Sequence, residues 1–305
     1  MNFSVKILGS CSAVPAFGRH HSAQLVKYYG STFLIDCGEG TQLQFQLHKS
    51  KLSKLTRIFI SHLHGDHFLG LFGLLSTLSL MGRTKQLQVY GPKGLREIIT
   101  TQLKYSQSII KYPLDIIELE FPKSGILFEE NNLRVSHCPL DHRIDCHGFT
   151  FEEVKQSHRL KPTCENLNLS KSQIANLKKG NDILNENGEI LHKNEDLTNP
   201  PRKCKKYSYC SDTKYDERIV PFIKDSDLLY HEATFLNDLA SRADSTYHST
   251  AQQAGKMASL TNTSKLLLGH FSSRYKELRP FIQEAQTEFE NCELAIEGLE
   301  FFIEK

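Results

Sequence analysis

No stretch of this 305-residue chain has the length and apolarity of a membrane span. The longest apolar run, Phe68 to Met81, is broken by Gly, Ser and Thr and has the length of a buried helix. Met1 to Gly9 lacks the basic start and apolar centre of a secretory leader and reads as a strand. None of the eight cysteines belongs to a C-x-x-C pair. The expectation is reduced thiols in a cytoplasmic protein with no membrane association. Charge of one sign is also missing. The formal net charge is +2, so a nucleic-acid role must rest on a local patch. The length suits one large or two ordinary domains, with ample chain for a core.

What the chain does have is His62-Leu63-His64-Gly65-Asp66-His67, directly after the apolar Ile58-Phe59-Ile60. Three imidazoles and a carboxylate within six residues repel or go unpaired in a plain core. A divalent cation resolves this by taking neutral imidazole nitrogens and carboxylate oxygens as ligands. A structural zinc site would favour cysteines, and the motif has none. If Arg57 to Ile60 is a strand, the motif is the loop at its C-terminal end, where open α/β folds bind ligands. On so tight a loop, His62 and His64 can face one metal while Asp66 and His67 face a second.

The pattern predicts an α/β fold. Short strands are expected at Lys6–Gly9, Gln24–Tyr28 and Thr32–Ile35, the last two joined at Gly30. A helix follows Asp36-Cys37-Gly38-Glu39-Gly40-Thr41 to about Leu47, and another runs from about Phe68. Strands are expected at Leu87–Tyr90, Asp115–Glu120, Leu133–His137 and Phe149–Glu153, with a helix after Gly91-Pro92. From about Lys155 to Lys206 the rhythm stops. This polar interval holds eleven Lys or Arg against six Asp or Glu and reads as an inserted arm, not a core layer. The α/β rhythm then returns: strands at Tyr207–Cys210, Leu228–His231 and Lys265–Leu268, and helices at Tyr215–Ile223, Thr250–Leu260 and Leu278–Phe289.

A dinuclear site needs more ligands than one loop supplies. His142, Asp212 and His270 each follow an expected strand, and Asp212 could bridge two ions through its two oxygens. Such a pair, about 3.5–4 Å apart, would activate water and hold a phosphate or carbonyl oxygen. His137 and His147 separate less cleanly from His142. His20, His21, His48, His158 and His192 read as surface residues.

With these residues in view the chain resembles the metallo-β-lactamase superfamily and, more narrowly, the ribonuclease Z family of tRNA 3′-processing endonucleases. Ile7 to Pro15 resembles the family's opening strand and loop, and Phe33 to Gln42 its second signature. Pro139-Leu140-Asp141-His142 with Cys146 to Phe149 resembles its ligand-bearing segment. Tyr209-Cys210-Ser211-Asp212-Thr213 resembles the bridging-aspartate segment, with Cys-Ser where Ser-Gly is common. His231 to Phe235, His248 to Gly255 and His270 to Tyr275 are the most family-specific stretches.

The resemblance implies a metallo-β-lactamase-like four-layer αβ/βα sandwich, one domain over 1–305, with the arm inserted at about 155–206. It implies two zinc ions per subunit, one held by His62, His64 and His142, the other by Asp66, His67 and His270, with Asp212 between them. It also implies a homodimer whose arm grips precursor tRNA. Leu177-Lys178-Lys179-Gly180 is present in the arm, but the family's Gly-Pro turn is not. The implied chemistry is removal of 3′ trailers, leaving a tRNA 3′-hydroxyl and a trailer 5′-phosphate. Asp66 would ligate metal and take a proton from the attacking water. His248, oriented by Glu232, would protonate the leaving 3′-oxygen. Two rivals stand beside this. One is another hydrolase of the superfamily, acting on small phosphodiesters, aryl sulfates or thioesters. The other is an RNA-binding module without catalysis, disfavoured by seven candidate ligands.

Overall fold

A computed structural model describes residues 3–154 and 156–304. Met1 and Asn2, at the start of the predicted opening strand, Lys155, where the predicted insertion opens, and Lys305 lie outside the described residues. Among the described residues two seven-stranded sheets face each other. The first has the spatial order Glu300–Phe302, Phe3–Gly9, Ala23–Tyr28, Ser31–Ile35, Leu55–Phe59, Leu87–Pro92, Leu114–Leu119. It is antiparallel up to Ser31–Ile35 and parallel beyond. The second runs Cys292–Leu294, Leu266–Gly269, Leu228–Glu232, Lys206–Cys210, Cys146–Glu153, Leu133–Leu140, Gly125–Glu130. Its first four strands are parallel.

Strand alternation builds the layers. Phe59 points into the core between the sheets, while Ile58 and Ile60 point outward beneath the helix Leu71–Leu80. In the second sheet Leu267 points inward, and Leu266 and Leu268 pack under the helices Ala251–Leu260 and Arg279–Ala285. The inner layer is aromatic: Phe33, Phe59, Phe149, Phe151, Tyr207 and Tyr209 all belong to it. The result is helix, sheet, sheet, helix, the four-layer sandwich that the resemblance implied.

Local chemistry explains several boundaries. Thr250 caps Ala251–Leu260 with a capping box closed by Gln253. The helix expected from Phe68 is instead two pieces, Gly65–Phe68 and Leu71–Leu80. At the break the Gly70 amide donates to the Cys37 carbonyl at 2.9 Å instead of along the helix, and only glycine fits, since a Cβ there would sit 2.0 Å from the Gly38 carbonyl oxygen. Tyr215–Ile223 shrinks to a 3₁₀ turn capped by Asp216 and the helix Val220–Ile223. Leu278–Phe289 shrinks to Arg279–Ala285.

Between Glu153 and Lys206 the chain forms two small two-stranded sheets and the helix Lys171–Lys178, which Ser170 and Gln173 cap. Leu177, Ile183 and Leu197 form an apolar cluster of their own, separate from the sandwich cores. This interval thus has a small core that its polar composition concealed. Its ends meet, with the Glu153 amide donating to the Lys205 carbonyl at 2.8 Å.

Candidate metal centre

Every candidate ligand follows a strand at one edge of the sandwich. The segment Ser61–His67, which runs into the helix Gly65–Phe68, follows Leu55–Phe59, and His142 follows Leu133–Leu140. Asp212 follows Lys206–Cys210, and His270 follows Leu266–Gly269. The fold brings all seven together, and they fall into two sets.

In the first set His64 Nδ1 lies 3.1 Å from both His62 Nε2 and His142 Nε2. In the second, His67 Nε2 and His270 Nε2 are 3.2 Å apart, and Asp66 Oδ2 is 3.4 and 3.3 Å from them. Asp212 stands between. Its Oδ2 lies 3.6 Å from His62 and 3.9 Å from His142, and its Oδ1 lies 3.3 Å from His67 and 3.2 Å from His270. Zinc bonds near 2.0–2.1 Å in tetrahedral geometry separate ligand atoms by roughly 3.3 Å. The spacing therefore fits one such ion per set.

The rings are already turned for that role. His67 Nδ1 donates to Asp36 Oδ2 at 2.7 Å. His142 Nδ1 donates to the Tyr247 carbonyl at 2.9 Å. The Thr234 hydroxyl donates to Glu232 at 2.7 Å, so at 2.8 Å it accepts from His270 Nδ1. The Ser61 hydroxyl donates to Asp36, which makes His62 Nδ1 its donor at 3.0 Å. In each case the outer nitrogen is occupied and Nε2 faces the cluster, the usual support of a metal-binding imidazole.

Electrostatics agree. Burial first, then the crowding of imidazoles, pushes His62 well below the ordinary histidine value and His64 down to about 4. Both are thereby neutral, the form that binds metal. Burial opposes charge on His67 as well, but Asp212, Asp66 and Asp36 pull it well above the ordinary value. Three buried carboxylates thus demand positive charge at this point. Among the described residues Asp212 Oδ1 is nonetheless buried without a hydrogen-bond partner, an expensive state that a cation relieves.

Glu232 and His248 stand beside the cluster. His248 Nδ1 lies 2.8 Å from Glu232 Oε1. Glu232 is fully buried and also accepts from the Thr213 and Thr234 amides. Burial opposes protonation of His248, but Glu232 outweighs it and the ring is pushed up to about 9. Its Nδ1 is 3.9 Å from Asp212 Oδ2, but that nitrogen is committed to Glu232. The cleft above, about 660 Å³, is rimmed by Val14, Pro15, Arg143, Phe235 and Arg274.

His137 and His147 do not join. They pair with each other, Nδ1 to Nδ1 at 3.2 Å, on neighbouring strands. His21 is buried, not a surface residue, and its Nε2 lies 3.2 Å from the Ala13 carbonyl. Sequence reasoning gave no role to Asp36, which also takes the Ser61 amide and the Tyr209 hydroxyl, both at 2.7 Å. Its place after a strand, within Phe33 to Gln42, was the available signal. Thr234 and Ser61 had none.

A protein from Cytophaga hutchinsonii named Ribonuclease Z is 46% identical over 303 residues, covering 99% of this chain and 97% of that protein. The chain belongs to the ribonuclease Z family. Residues 3–158 also match the family model described as Anti-Pycsar protein Apyc1, which places that half of the chain in that family too. That match takes in the first histidine set and Asp66 but stops short of Asp212, Glu232, His248 and His270. Among solved structures, the short form of human tRNase Z superposes with a TM-score of 0.70 at 28% identity, covering 99% of this chain and 100% of that one. The metallo-β-lactamase fold protein YhfI of Bacillus subtilis gives 0.69 at 18% identity, covering 99% of both chains, and shares the fold. The chain is accordingly a hydrolase of the metallo-β-lactamase fold. No helix among the described residues is long and apolar enough to cross a membrane.

Proposed function

We propose that the chain is a zinc-dependent endoribonuclease that removes 3′ trailers from precursor tRNA. The products are a tRNA 3′-hydroxyl and a trailer 5′-phosphate. The observation that carries this is the division of Asp212, one oxygen toward each ligand set, in a chain that matches ribonucleases Z over nearly its full length. His62, His64 and His142 would hold one zinc, Asp66, His67 and His270 another, and Asp212 both. Bound there, the ions supply charge for the phosphate oxygens and lower the pKa of water.

The chain's own groups do the rest. Asp66 turns Oδ2 to His67 and His270 and is held well below the usual carboxylate range despite burial. In this reading it orients the attacking water and accepts its proton. His248, protonated against Glu232, donates to the departing ribose 3′-oxygen. Glu232 fixes the ring through Nδ1 and leaves Nε2 for the substrate.

Two further features belong to the same reading. Arg159, Lys171, Lys178, Lys179, Lys193 and Arg202 are exposed in the inserted arm, which suits contact with tRNA phosphates. Leu43, Leu47, Leu69, Leu80 and Met81 are exposed on and beside two helices tied by the Thr77–Gln42 hydrogen bond. Apolar side chains exposed in this number suit contact with a second copy of the chain, giving a homodimer. Eight free cysteines and a tRNA substrate suit a protein of the cytoplasm.

Incubation of the zinc-loaded protein with a precursor tRNA carrying a 3′ trailer tests the proposal. One cut with 3′-hydroxyl and 5′-phosphate ends supports it. Turnover of a small phosphodiester with the precursor left intact would favour the rival hydrolase.

A further inference from the structure

Tyr247 has a backbone φ of +61°, the left-handed region that costs an ordinary residue about 1–2 kcal/mol. It ends the helix Ala240–Thr246, a place where glycine is usual. A main-chain bond, a ring contact and a neighbouring ion pair surround the tyrosine there. Its carbonyl accepts from His142 Nδ1 at 2.9 Å. The Lys214 ammonium lies 4.3 Å from its ring centroid. The same ammonium pairs with Asp244 Oδ1, one turn back, at 3.0 Å. Lys214 lies two residues after Asp212, and Tyr247 directly precedes His248. A second stitch, from the Ser249 hydroxyl to the Thr213 carbonyl at 2.7 Å, joins the same two loops.

We infer that Lys214 and Tyr247 form a clamp that positions the metal centre. With the loop 212–214 locked to 247–249, the Tyr247 carbonyl is aimed at His142 Nδ1. That hydrogen bond fixes the tautomer that turns His142 Nε2 toward His64. The left-handed backbone then delivers His248 to Glu232. Tyr247 is a positioning residue: its carbonyl meets His142 Nδ1, and its ring stands edge-on to the His142 ring, centroids 6.5 Å apart, while Lys214 holds that ring in place. The hydroxyl has no partner among the described residues, so the ring alone is needed. The inference rests on the metal reading above.

Glycine keeps the left-handed backbone and removes the ring, which makes Tyr247→Gly the informative variant. Tyr247→Phe keeps the clamp, and Lys214→Met removes its charge. Zinc affinity would be measured by chelator competition on the whole protein, with the unfolding midpoint of each metal-free variant alongside. Tyr247→Gly keeps the carbonyl but removes what aims it, so it should weaken one of two zinc ions by roughly tenfold, the lower end of the effect of losing a ligand's outer partner. Its metal-free unfolding midpoint should not fall. Tyr247→Phe should match wild type, and Lys214→Met should lose about 2- to 5-fold. Wild-type zinc affinity in Tyr247→Gly overturns the inference alone. So does equal loss in Tyr247→Phe, or equal loss of both ions with a lowered midpoint. Wild-type protein that binds no zinc overturns this inference and the metal reading together.

Discussion

Asp36 Oδ2 lies 2.7 Å from His67 Nδ1, with both side chains fully buried. The same oxygen takes the Tyr209 and Ser61 hydroxyls. Asp36 itself sits at φ +54°, a conformation aspartate tolerates better than most residues. A carboxylate so placed orients the ring and raises its basicity toward a metal. Asp36→Asn keeps the shape but weakens the acceptor, so zinc affinity should fall about 10- to 100-fold. Chelator competition measures it. Unchanged affinity would mean that Asp36 serves the fold alone.

His248→Ala should lower turnover roughly 10²–10⁴-fold, with zinc content and precursor affinity near wild type. Glu232→Gln should show a smaller loss and a lower upper limit to the active pH range, because the carboxylate favours the protonated ring. Rapid quench kinetics beside metal analysis checks both. Turnover that falls only in step with zinc would make His248 a metal-site residue.

The cluster His62–His67 was legible because its candidate ligands are neighbours in sequence. His142, Asp212 and His270 were legible more indirectly, each as a polar residue closing an apolar strand. Asp36 closes a strand in the same way, but its service to His67 depends on a fold that brings positions 36 and 67 together. The break at Gly70 is likewise set from outside, by the Cys37 carbonyl that takes its amide and the Gly38 carbonyl packed against it. The strand Gly125–Glu130 went unread because it is an edge strand, nowhere fully buried and without clean alternation. Cys292–Leu294 and Glu300–Phe302 are three residues each, too short for a period. In the arm, three scattered apolar residues make a core that composition averages away.

The meeting of the arm's ends at Glu153 and Lys205 makes its removal practicable. Deleting roughly Lys161 to Pro200 behind a short glycine–serine link should cut precursor processing at least about tenfold. Hydrolysis of a small model phosphodiester should be spared, because the candidate metal ligands lie elsewhere. In the intact protein, precursor affinity should fall steeply with salt, and in the deletion less so. Equal loss on both substrates would show the segment to be part of the catalytic body.

His147 gives a stability test independent of catalysis. Burial, then the nearby His137, pushes its ring down to about 4, below the unfolded value of about 6.5. Between those values the unfolded chain binds the extra proton. Stability is therefore full above about 6.5 and falls as pH drops toward 4, by at most about 1.4 kcal/mol per pH unit for this group. Denaturant unfolding with chelator present should show a shallower acid decline in His147→Gln than in wild type. Parallel declines would count against the buried neutral ring.

Metal content measured together with precursor cleavage tests the central claim most directly. The purified protein should carry close to two zinc ions per chain and cut a 3′-extended precursor tRNA once, at the trailer junction. Asp212→Ala should lose metal and nearly all cleavage. Full cleavage by wild-type protein carrying no transition metal, or by Asp212→Ala, would contradict it.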